Sequence, residues 1–191
     1  TKTANTDLTS QTPTNIGFAD WMVVSELESQ ALLYLDQEPL KLGSIGSAIL
    51  EKDPSNLIGR LALSKFYSSL GTIETGTDFT ESYEESLKVI SESGNGSPEK
   101  PWVVSSNQAA GLFLKDMGIS RVGGVYQSNL QQKLGLMIIG LEGENTQPKE
   151  YYFDLSHLLN PANAYLSTGK TQDTDNPVSY THLTLPTTRL V

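Results

Sequence analysis

Apolar positions divide the chain into two unlike parts. Phe18, Trp21, Val24, Leu27, Ala31, Tyr34 and Leu35 recur three or four apart, which predicts an amphipathic helix over 18–36. Pro39 restarts the chain, and 39–51 reads as a second helix despite Gly43 and Gly46, each of which costs about 1 kcal/mol against Ala. Gly43, Ser44, Gly46 and Ser47 leave little side chain on part of its surface, so another helix is expected to approach closely there. A third helix is expected over 54–70, opened by Asp53 and Pro54 and stopped by Gly71. Its main stripe is Ile58, Ala62, Leu63, Phe66, Tyr67 and Leu70, and Leu57 and Leu61 form a second apolar edge, so it needs neighbours on two sides. The fourth helix, 78–91, is expected to open on a capping box of Asp78 and Glu81 and to bury one narrow face, Phe79, Tyr83, Leu87 and Ile90. Ser93–Pro101 is rich in Gly, Ser and Pro and reads as a break, after which 106–117 forms a short helix closed by Gly118.

Beyond Gly118 the segments are shorter, richer in β-branched and aromatic residues and separated by turn-formers. Strands are expected over 121–126, 133–141 and 150–155, as a small antiparallel β meander. The period of Leu130, Leu134, Met137, Ile138 and Leu141 also fits a helix over 131–141. If 150–155 is a strand, Tyr151 and Tyr152 point to opposite faces, so at most one belongs to any given surface. The expected fold class is α+β, mostly helical at first and then a small sheet. It forms a single domain over 17–160, between a disordered Thr-rich leader (1–16) and a disordered tail (161–191).

Ile49-Leu50-Glu51-Lys52-Asp53-Pro54, then Leu63, Tyr67, Leu70 and Gly71, then Tyr83, Ser86 and Leu87, resemble the end of one tetratricopeptide repeat and the body of the next, over about 49–91. The resemblance implies helical hairpins that present a concave surface to peptides or partner proteins. Three features depart from it: a long turn over Thr72–Thr77, Ser86 where Ala is usual, and the lack of a second full copy. The tail from Pro177 to Val191 resembles translated sequencing-adapter sequence, which implies that these residues are artefactual and that the natural chain ran on past about residue 176.

Composition narrows the possible functions. A net charge of −9, spread along the chain, argues against nucleic acid and offers no polybasic patch for anionic lipid. The absence of cysteine excludes disulfides and thiolate metal sites. No apolar run approaches the roughly 18–20 residues of a membrane span. A Thr-rich leader of this kind suits an exported bacterial protein, periplasmic or at the cell surface.

Little in the chain points to chemistry. Ala164–Thr171 satisfies the permissive phosphate-loop pattern but has neither a strand before it nor a helix after it, so it reads as coincidence. There is no Gly-x-Ser-x-Gly elbow and no His-Glu-x-x-His, and His157 is the sole histidine before the tail. Asp78, Glu81 and Glu85 read as a solvated helix face rather than cation ligands. Asn95-Gly96-Ser97 fits a glycosylation acceptor only as a short, chance-prone pattern. No catalytic, metal or cofactor site is therefore expected. The reading is a noncatalytic binding or scaffold module that engages a protein or peptide through helical surfaces, with Arg60, Lys65, Trp102 and Tyr126 as candidate contact residues. The alternatives are the N-terminal part of a secreted hydrolase whose catalytic residues lie further on, and a self-associating structural surface protein.

Overall fold

A computed structural model of the chain describes residues 16–128, 133–143 and 147–158. The leader expected over 1–16 lies outside the described residues except for Ile16, and the tail with its phosphate-loop pattern lies outside them altogether. The elements in order are α1 (Phe18–Tyr34), a 3-10 turn (Pro39–Lys41), α2 (Leu42–Lys52), α3 (Leu57–Ser69), α4 (Ile73–Ser93), β1 (Trp102–Val103), α5 (Asn107–Asp116), β2 (Ser120–Ser128), β3 (Leu134–Leu141), β4 (Lys149–Asp154) and a 3-10 turn (Ser156–Leu158). The fold is α+β, with helices first and then a four-stranded sheet in the order β1-β4-β3-β2. β2, β3 and β4 form the antiparallel meander, so Leu134–Leu141 is a strand where a helical period also fitted. The two-residue β1 was not expected; it joins β4 in parallel register, with Trp102 opposite Phe153.

Two helix starts differ from expectation. Asp53 ends α2 rather than opening α3, and its Oδ1 accepts from the Ser55 amide and hydroxyl. The cap of α3 is Asn56, whose Oδ1 accepts from the amides of Ile58 and Gly59. α4 begins at Ile73, five residues before the expected capping box, leaving Asp78 and Glu81 on an exposed mid-helix face. The chain turns at Gly71, whose φ is +71°, and Gly76 lies inside the helix. A Cβ on Gly76 would stand 3.3 Å from Ser68 Oγ, so this glycine lets α4 approach α3. In a sequence, a close-contact glycine and a turn glycine look alike.

The expected contact surface of α2 is present: a Cβ on Gly43 would lie 2.7 Å from the Phe66 ring of α3. Gly59 answers from α3, where a Cβ would meet Ile49 and Leu50 at 2.8 Å. The helices and one sheet face share a core. Ile58, Ala62, Leu114, Leu136, Ile138 and Phe153 are all buried in it, and Phe113, Tyr151 and Phe153 pack around Trp102.

Candidate functional site

In β3, Leu136, Ile138 and Gly140 are buried, so they and their cross-strand partners face the helices. The alternate residues face away, and register places them in three rungs across β2, β3 and β4: Gly123, Ile139 and Glu150; Val125, Met137 and Tyr152; Gln127, Gly135 and Asp154. The middle rung is apolar and aromatic. Val125 is 50% exposed, and Met137, Ile139, Leu141 and Tyr152 are half-buried. Antiparallel sheets with one solvated face usually alternate apolar and polar residues, so a band that is apolar on both faces of β3 departs from that pattern.

The third rung lacks a side chain at Gly135, and a hollow of about 300 Å³ opens there. Its walls are Pro98, Glu99 and Pro101 on one side and Gln127 and Lys133 on the other, with Tyr152 and Asp154 across it. The 94–101 loop is held at the sheet by Gly96, whose carbonyl accepts from the Tyr152 amide at 2.9 Å. Asn95 Oδ1 accepts from the Ser97 amide, and Ser97 Oγ accepts from the Lys100 amide. The Tyr152 hydroxyl donates to Glu150 Oε2 at 2.5 Å. That bond, with burial and the charges of Glu150 and Glu99 behind it, raises the Tyr152 phenol above its ordinary range. Asp154 Oδ1 accepts from the Ser156 amide at 2.7 Å, which orients the carboxylate.

The four candidate contact residues separate. Arg60 is fully buried and Trp102 is 7% exposed, so neither belongs to a surface. Arg60 donates to Ser86 Oγ at 2.6 Å, to the Ser82 carbonyl and to the Pro54 carbonyl. Burial lowers its pKa, partly offset by Asp53. Ser86, the departure from the repeat pattern, is thus the partner of a buried guanidinium. Lys65 is exposed on α3. Tyr126 is 53% exposed at the edge of the helix-facing side of the sheet, paired with Leu136, and lies on the opposite face from the apolar band. As expected of a strand, Tyr151 is buried inward while Tyr152 faces outward.

A second polar group lies inside the molecule. Glu28 of α1 is 1% exposed, and its Oε1 accepts from Asn56 Nδ2 at 2.8 Å, the amide that also donates to Asp53 Oδ2 at 3.1 Å. The Ser106 hydroxyl favours the charged form, yet Glu28 Oε2 has no well-aligned hydrogen-bond partner among the described residues. Burial pushes the carboxyl up to about 7, against the pull of Asn56 and Ser106 and with a smaller push from Asp53. Its bonds join α1 to the α2–α3 turn and to the residue that caps α5. His157 is half-buried in the last 3-10 turn, its pKa lowered chiefly by burial, and its Nδ1 has no partner among the described residues. No serine hydroxyl bonds to it there, and no group of three or more metal-ligating side chains occurs among the described residues. No described helix is long and apolar enough to cross a membrane.

Set against protein-family models, curated proteins and solved structures, the chain matches none. The functional reading therefore rests on geometry.

The signal for this face was present in Leu134-Gly-Leu-Met-Ile-Ile-Gly-Leu141, where both alternating sets are apolar. Its ambiguity with a helical period concealed the face.

Proposed function

We propose that the chain is a noncatalytic binding or scaffold module of an exported bacterial protein, and that it engages a protein or peptide partner on the outward face of its sheet. The observation that carries this reading is the cross-strand band Val125, Met137 and Tyr152, flanked by Ile139, on the sheet face opposite the one whose residues join the helical core. Apolar patches rimmed by polar groups mark interaction sites on folded proteins. The helices, in contrast, spend most of their apolar residues on one another and on the inner sheet face, leaving Met22, Val23 and Leu33 exposed on α1 and Leu70 and Ile73 exposed about the α3–α4 turn. The Thr-rich leader suits export.

A photo-crosslinking side chain placed at Val125, and separately at Lys65 on α3, tests this in extracts of the organism that encodes the chain. A discrete heavier adduct from position 125 alone is the expected result. Adducts from position 65 alone would return the partner to the helical surface. Adducts of twice the chain mass would indicate self-association, and none from either position would refute a partner-binding role.

A further inference from the structure

The hollow beside the apolar band has a chemistry of its own. Glu99 and Asp154 line it, and Glu150 holds the hydroxyl of the Tyr152 ring that forms one wall, while Lys133 is the only basic residue among the described lining. An anion placed there would meet two carboxylates, Glu99 and Asp154, against one lysine. At about 300 Å³ the hollow is at the small end of ligand pockets, with room for one side chain rather than a cofactor. It also lies one rung from the apolar band, so an extended segment crossing the sheet can place one residue in the hollow and its apolar neighbours on Met137 and Val125.

Building on the binding-module reading above, we propose that the hollow over Gly135 receives an arginine or lysine side chain carried by an extended segment of the partner protein. The cation lies against the Tyr152 ring, where the π face attracts it. Glu99 and the Asp154 oxygen not bonded to Ser156 accept its N–H donors as charge-assisted hydrogen bonds. The partner is thus identified by complementarity to the net charge of −9 of this chain and to the local excess of carboxylates.

Fluorescence anisotropy with the full 191-residue chain tests this, using three dye-labelled extended peptides whose same-face positions i−2, i and i+2 are Val-Arg-Val, Val-Gln-Val or Val-Glu-Val, with Thr between them. The Arg peptide is expected to bind at least tenfold tighter than the Gln peptide, equivalent to about 1.4 kcal/mol, with the Glu peptide weakest. Gly135→Val fills the hollow at little cost to the strand, because its Cβ would meet Phe153 O at an ordinary 3.5 Å. Glu99→Gln removes one exposed charge and leaves the fold alone. Both variants should abolish the preference for Arg. Equal binding of the Arg and Gln peptides, or an Arg preference that survives both variants, would overturn the proposal. In either case a crosslink at position 125 would still stand, so failure of the cationic hollow is distinguishable from failure of the partner-binding reading.

Discussion

Replacing Glu28 by Gln should stabilise this protein at neutral pH and do little at acid pH. The carboxyl titrates at about 7 in the folded chain against 4.5 for an unburied glutamate. Between these values the folded state binds the proton and the unfolded state does not, so stability falls as pH rises through the window and levels off above about 7. A difference of about 2.5 units at about 1.36 kcal/mol each corresponds to roughly 3 kcal/mol lost by pH 8. Gln keeps the oxygen that accepts from Asn56 Nδ2 and removes the ionisation. The groups that act on Glu28 are Asn56 and Asp53 from the α2–α3 turn and Ser106 before α5, and none of these is a base that would hold its charge. Urea denaturation of both proteins at pH 5, 6, 7 and 8 should show their stabilities diverging upward from pH 5. By calorimetry, the difference at pH 8 should be roughly 6–12 °C in Tm, at about 2–4 °C per kcal/mol for a chain of this size. A Gln variant less stable at every pH, or a gap that does not widen with pH, would show that an unrecognised partner stabilises the carboxylate.

Four further outcomes follow from packing. Gly59→Ala drives a methyl to 2.8 Å from Ile49 and Leu50, and should cost about 1–3 kcal/mol in urea denaturation. Arg60→Met leaves Ser86 Oγ and the carbonyls of Ser82 and Pro54 without that donor, and a loss of at least about 2 kcal/mol by the same measurement is expected. Trp102→Ala opens the aromatic core and should cost about 3–5 kcal/mol, with loss of near-ultraviolet circular dichroism. Tyr126→Ala, at a half-exposed edge, should stay within about 1 kcal/mol.

The helical part was legible where amphipathic spacing was long, as in α1, or closed by strong punctuation, as in α5 at Gly118. It misled where a residue type serves two ends. Asp53-Pro54 has the composition of a helix start, but Asn56 takes the cap because its amide also reaches Glu28 and Asp53, a tertiary demand invisible locally. Gly71 and Gly76 look like one long turn, although only Gly71 has positive φ. Arg60 was read as a polar surface residue because nothing in the sequence shows that Ser82 and Ser86 meet it from 22 and 26 residues away. The sheet face was legible only as an expected meander, since its candidate surface depends on register, and β1 is too short to leave any periodic trace.

Magnitudes show why the apolar band alone makes a weak partner site. Val125, Met137, Ile139 and Tyr152 are already partly covered, so completing their burial adds about half of the roughly 1.5–3 kcal/mol that each gives when fully buried. Four such residues supply on the order of 4 kcal/mol. Association costs at least about that much in lost translational and rotational freedom. A complex held by the band alone would therefore be at best marginal, and further surface or a charged contact must raise it to a useful affinity. The Gly135 hollow lies in the adjacent rung with Glu99 and Asp154 in its walls, which places such a contact within reach of the same bound segment. Affinity for the partner should accordingly fall with ionic strength more steeply than apolar docking predicts, and a salt-independent affinity measured by anisotropy would assign the energy to apolar surface outside this band.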